Sequence, residues 1–92
     1  MAQLPPGNPS AEKALLGAFL KNNDLYLLNA STLEDGIFSH LPHQTIYEAM
    51  KPLFEKNHRC DLVSLIDALQ DEGRIDNAGG VAYVSSLTDG VP

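Results

Sequence analysis

Residues 61–87 read DLVSLIDALQDEGRIDNAGGVAYVSSL, and this stretch decides the fold. Asp61 stands where a helix N-cap belongs, its carboxylate able to accept hydrogen bonds from the first free backbone N–H groups. Leu62, Leu65, Ile66 and Leu69 then recur at helical spacing on one stripe, while Asp67, Gln70, Asp71 and Glu72 fall mostly outside it. Gly73 follows the last periodic residue and can take the left-handed backbone that closes a helix, with Ile75 folding back onto the last turn. Beyond Gly79 and Gly80, Val81, Val84 and Leu87 recur every three residues, which predicts a short helix laid against the first. The stretch is a helical hairpin with an irregular joint.

Upstream, a longer helix is expected from Leu41 to about Lys56, with Pro42 at its first position. Ile46, Met50, Leu53 and Phe54 form its apolar stripe, flanked by Tyr47, and His43, Gln44, Glu48, Lys51 and Glu55 mark its polar side. Pro52 inside it predicts a kink or local loosening near residues 48–52. A first helix is announced by the Asn8 cap and Pro9, with Glu12 adding negative charge near the positive end of the helix dipole. Its stripe is Ala11, Leu15, Ala18 and Phe19, widened by Leu16 and Leu20, and Gly17 would admit a close neighbour. Asn22 or Asn23 can take a left-handed terminal position. Residues 24–30 predict a short second helix, with a strand as the alternative. Ser31 or Thr32 would cap a single turn closed by Gly36, after which Ile37 and Phe38 plug the core from a loop.

These elements predict an all-α fold, a compact orthogonal bundle of about five to six short helices. Residues 1–7, with Pro5 and Pro6, form an irregular lead-in, and 8–92 form one helical domain. The expected core is Leu15, Phe19, Ile46, Met50, Phe54, Leu65, Leu69, Val84 and Leu87. Caps and turns fall to Asn8, Asp61, Gly73, Gly79 and Gly80.

Ninety-two residues suit a single small core, and 43% hydrophobic with 20% charged residues is ordinary for a globular chain. Six Lys+Arg against twelve Asp+Glu leave a net charge of -6, spread along the chain. That balance argues against strong nucleic-acid binding by this domain, since only Lys51, Lys56, His58 and Arg59 approach a basic cluster. One cysteine, Cys60, excludes an internal disulfide. The N-terminus lacks the basic start and apolar core of a signal peptide, no run is long enough to span a membrane, and the expectation is a cytoplasmic protein.

Catalytic apparatus is not visible. GxxxxGK[ST] is absent, and Gly79-Gly80 lacks the following lysine of a phosphate loop. Ser64, Ser85 and Ser86 have no nucleophile context, and the pairs Glu34-Asp35 and Asp71-Glu72 sit at helix ends and on wet faces. His58 and Cys60 are two apart with no second ligand pair, so no metal is expected. His40 and His43 read as structural. An enzyme would require a pocket built from His43, Tyr47 and carboxylates; a helical domain without such chemistry more usually binds proteins.

With these residues laid out, the chain resembles, over about residues 4–92, the N-terminal domain of the bacterial replicative DNA helicases of the DnaB type. The likeness rests on Leu4-Pro5-Pro6, the Asn8 cap, and Ala11, Glu12, Leu15, Leu16 and Gly17 in an AExxxLG pattern. It continues through Phe38, His43, Ile46, Tyr47, Ala49 and Met50. Asp61-Leu62-Val63, Leu65, Leu69, Gly73, Gly79-Gly80, Tyr83, Leu87 and Pro92 complete it. Pro52 interrupts a helix that is continuous in that family. The resemblance implies a non-catalytic domain in a hexameric collar that pairs subunits and docks primase, with a helicase loader as a further partner the resemblance allows. A downstream helical hairpin and a RecA-like ATPase domain using ATP and Mg would lie outside this chain, and no cofactor is expected within it. The alternative is a stand-alone helical adaptor or helicase regulator that binds a replication protein. No partner-contact residue is defined by a motif.

Overall fold

The computed structural model describes residues 8–29 and 38–89. The lead-in, the turn expected around Ser31 or Thr32 to Gly36, and Ile37 lie outside these described residues. Five α-helices follow in order: α1 (Pro9–Lys21), α2 (Asn23–Asn29), α3 (Leu41–Asn57), α4 (Leu62–Asp71) and α5 (Val81–Ser85), the last running into a 3₁₀ turn at Ser86–Thr88. No strand occurs among the described residues, so residues 24–29 resolve to helix. α1 packs on α2, α3 and the 3₁₀ turn, and α4 packs on α3 and α5.

The hairpin forms as its residues dictate. Asp61 Oδ1 accepts from the Ser64 N–H at 2.8 Å and caps α4. Leu65 and Leu69 are fully buried, with Leu62 and Ile66 packed against the same core. At the other end Gly73 takes φ 68, its N–H bonds the Gln70 carbonyl at 3.0 Å, and the Arg74 N–H reaches the Leu69 carbonyl at 2.8 Å. This pair is a Schellman closure, with two otherwise orphaned carbonyls satisfied at once. Gly79 and Gly80, at φ 101 and 91, turn the chain into α5. Between them and α4, Ala78 is buried and seals the joint. Val84 and Leu87 are buried as expected, because the tightening of α5 into a 3₁₀ turn puts positions three apart on one side. Val81, the third member of that pattern, is exposed instead, at the helix start where no element covers it.

The core contains Phe19, Ile46, Met50 and Phe54 as predicted, joined by Leu16, Tyr26, Phe38 and Tyr47. Tyr26 stacks on Phe54 at 4.0 Å between centroids, and Phe19 meets the Tyr26 ring edge-on at 5.4 Å. α2 is thereby fastened to α1 and α3 by an aromatic cluster.

Three expectations are corrected. Leu15 is only half-buried and lies at the rim of the core; the buried face of α1 is Glu12, Leu16, Gly17, Phe19 and Leu20, which keeps Leu16, Phe19 and Leu20 of the expected face and moves Ala11, Leu15 and Ala18 to its edge. The helix is turned so because Glu12 faces inward. His43, expected on the polar side of α3, is buried. Neither Asn22 nor Asn23 is left-handed: Asn22 is extended (φ -135), and Asn23 opens α2. The Asn23 side chain donates to the Phe19 and Cys60 carbonyls at 2.8 and 3.0 Å and accepts from the Cys60 N–H at 3.1 Å. The left-handed cap falls to His58, φ 57, closing α3. α3 stays helical through Pro52, where the expected loosening is the one backbone hydrogen bond that proline cannot donate; Pro52, like Glu48 one turn earlier, is exposed. The hydrogen bond that Pro52 cannot donate is therefore lost on the wet side, where water can replace it.

Cys60 is buried, and burial, reinforced by the neighbouring Asp61 charge, pushes its thiol up to about 12. Since only the thiolate reacts quickly, Cys60 should resist a thiol-specific disulfide reagent at pH 8 in the native protein and react promptly in denaturing urea. Rapid native labelling would show that the Asn23–Cys60 junction opens.

Candidate functional site

Glu12 lies in the first turn of α1, where α1 meets the segment leading into α3. Its Oε2 accepts from the Ser39 N–H at 2.9 Å and the Ser39 hydroxyl at 2.8 Å. Its Oε1 faces His43 Nδ1 at 2.8 Å, His40 Nδ1 at 3.2 Å and the His40 N–H at 3.4 Å. His43 continues the chain, its Nε2 lying 2.6 Å from the Tyr83 hydroxyl of α5. The Lys13 ammonium sits 5.1 Å above the Tyr83 ring. Glu12 and His43 are both buried; the His40 side chain is 41% exposed and forms the outer wall.

The charge state follows from these contacts. Burial alone would raise the Glu12 carboxyl, but hydrogen bonds from the Ser39 N–H, His43, the Ser39 hydroxyl and His40 outweigh it and hold the group at about 2. An ionised carboxylate only accepts, so His43 carries its proton on Nδ1. In neutral imidazole Nε2 is then an acceptor and the Tyr83 O–H donates to it. Burial, with the Glu12 charge behind it, pushes the Tyr83 phenol up, consistent with a donor that keeps its proton. The arrangement spends the charge of Glu12 on holding α1, the 38–40 segment, α3 and α5 together. Of the residues an enzyme pocket would require, His43 meets a carboxylate, Glu12, and the Tyr83 phenol, while Tyr47 packs in the aromatic core against Phe38 at 5.0 Å and Tyr26 at 6.4 Å.

Gly79 supports this chain from outside. A Cβ there would stand 2.8 Å from Tyr83 Cδ2 and 3.0 Å from Cγ, at a φ of 101 that L residues rarely adopt. Gly79→Ala should therefore destabilise by about 1–3 kcal/mol and shift Tyr83. Gly80→Ala, which meets nothing within 4 Å at φ 91, should cost only the backbone strain. Equal urea midpoints for the two variants would show that the Tyr83 contact is unimportant.

The predicted turn and cap residues sit where expected: Asn8 Oδ1 accepts from the Ala11 N–H at 3.0 Å, and Asp61, Gly73, Gly79 and Gly80 bound the hairpin. Hydrogen bonds led by that from the Ser64 N–H hold the Asp61 carboxyl below the usual range. What the sequence reading missed is the convergence of Glu12, Ser39, His40, His43 and Tyr83. The signal was available in α1, where Glu12 precedes Leu16 and Phe19 by four and seven residues and shares their face. On the surface, large apolar side chains remain uncovered: Leu28 is 81% exposed, Val63 75% and Leu41 61%.

Fold and site together define a small all-helical domain tied at its centre by a buried carboxylate–imidazole–phenol chain. The chain belongs to the DnaB-like helicase N terminal domain family, which it matches over residues 4–92. It is 37% identical over 90 residues to a replicative DNA helicase DnaB of Treponema pallidum and 35% identical over 91 residues to a replicative DNA helicase DnaC of Bacillus subtilis. Each comparison covers 98% of this chain but only 20% of the relative. Among solved structures, the N-terminal domain of DnaB helicase from Mycobacterium tuberculosis superposes with a TM-score of 0.84 at 29% identity, over 97% of this chain and 63% of that one.

Proposed function

We propose that this chain is a non-catalytic protein-docking domain of a replicative helicase. It pairs subunits in the collar of a hexamer and receives primase or other replisome proteins, within a parent that unwinds duplex DNA with ATP and Mg bound elsewhere. The observation that carries the reading is the family match over residues 4–92, which is to the N-terminal domain and not to a nucleotide-binding one. A net charge of -6 and uncovered Leu28, Leu41 and Val63 support contact with proteins rather than phosphates. No described helix is long and apolar enough to cross a membrane, in keeping with action in the cytoplasm. The test is sedimentation velocity of this chain with the helicase-binding domain of its own organism's primase. The expected result is a faster-sedimenting complex, whereas independent boundaries under conditions where the parent helicase binds that primase would overturn the docking role.

A further inference from the structure

We propose that Glu12, His40 and His43 form a site for a divalent transition-metal ion of the zinc class. One ligand atom from each, the Glu12 carboxylate oxygen and the two imidazole nitrogens, lies within 4.8 Å of the others. Two imidazoles and one carboxylate are a donor set suited to zinc, and three protein ligands leave a fourth position for water. Of the three ligands only His40 meets solvent, the side from which water and metal would enter.

The surroundings resemble those that fix metal ligands. The Glu12 oxygen turned away from the histidines, Oε2, is held by both the N–H and hydroxyl of Ser39, which directs Oε1 toward the imidazoles. The far nitrogen of His43 is held by the Tyr83 hydroxyl, the outer contact that orients a ligating histidine. Metal binding would require His43 Nδ1 to give up its proton and Nε2 to carry one. The phenol both donates and accepts, so in this exchange of tautomer Nε2–H donates to the Tyr83 oxygen, the phenolic O–H gives up Nε2 as its acceptor, and no net proton is released. The hydrogen-bonded cluster is then the metal-free form of the site. Zinc–nitrogen and zinc–oxygen lengths near 2.0–2.2 Å put tetrahedral ligands a little over 3 Å apart, and the Glu12–His40 and Glu12–His43 separations of 3.2 and 2.8 Å are already close to that. The shorter Glu12–His43 contact must open by about half an ångström, and His40, the exposed member, has the most freedom to complete the set.

The test is calorimetric titration of the chelator-stripped, tag-free chain with zinc chloride, repeated with cobalt(II) for its visible spectrum. One zinc per chain, a raised melting temperature and a tetrahedral cobalt absorption are expected. His40→Ala should weaken zinc binding by tenfold or more and abolish the rise in melting temperature that zinc gives, Tyr83→Phe should weaken it roughly 10–100-fold, and His58→Ala should leave it unaltered. No saturable binding, or unchanged affinity in His40→Ala, would overturn the site.

Discussion

Glu12→Ala is expected to lower the free energy of unfolding by about 3–5 kcal/mol, the loss typical when one member of a buried charged network is removed. The variant leaves the Ser39 N–H, the Ser39 hydroxyl and the His43 Nδ1–H without their acceptor. The orphaned donor on buried His43 costs about 1–3 kcal/mol, whereas those of exposed Ser39 can turn to water. Against a total stability of about 5–15 kcal/mol, this is the largest single-residue effect expected outside the apolar core. Urea unfolding at neutral pH in a chelating buffer measures it, and a loss below about 1 kcal/mol would mean that water readily replaces the carboxylate.

The same group sets the acid limit of the fold. Its carboxyl titrates at about 2 in the native protein against 4.5 when free, so as acid is added the unfolded chain takes up a proton first. The contribution is therefore complete above pH 4.5 and lost progressively as pH falls toward 2. With solvent access on the His40 side screening part of it, it amounts to about 2 kcal/mol. The groups facing the carboxylate are His40, His43 and, through His43, Tyr83, with Lys13 over the Tyr83 ring. Glu12→Gln should flatten the stability profile between those pH values. An unchanged slope would assign the acid sensitivity to other carboxylates.

Leu69→Ala is expected to cost about 2–5 kcal/mol. The side chain is fully buried, and its carbonyl receives the Arg74 N–H that closes α4. Truncation leaves a cavity between α4 and the elements it packs on, α3 and α5, which a joint pinned by Gly73 cannot readily collapse to fill. Val63→Ala, on the exposed side of the same helix, should change stability by about 0.5 kcal/mol or less. If the two substitutions cost the same, α4 does not present the face described.

The hairpin was readable because its signals are local. An acid at the N-cap, a four-residue apolar stripe and a glycine at C′ each specify geometry within one turn. Leu65, Leu69, Gly73, Val84 and Leu87 fell where their spacing put them. The exact phase of α1 was not readable from hydrophobicity alone, since Ala11, Leu15 and Ala18 extend the apolar face to one side of Leu16, Phe19 and Leu20 while Glu12, on the other side, is the residue that is buried. What turns the helix is the demand of Ser39 and His43 for an acceptor, a contact made across 27 and 31 residues of chain. Asn23 shows the same limit: its side chain closes a junction with Cys60, 37 residues away, that no local pattern announces. Periodicity treats Glu12 and His43 as polar and therefore outward, whereas paired they are cheaper to bury than either is alone.

Glu12, His43 and Tyr83 act as one fastener across α1, α3 and α5. A double-mutant cycle with Glu12→Gln and His43→Gln, read by urea unfolding in a chelating buffer, tests it most directly. The expected result is a coupling energy of about 1.5–3 kcal/mol, within the range for residues sharing one hydrogen-bond network. Costs that add to within about 0.5 kcal/mol, as they do for independent sites, would contradict it.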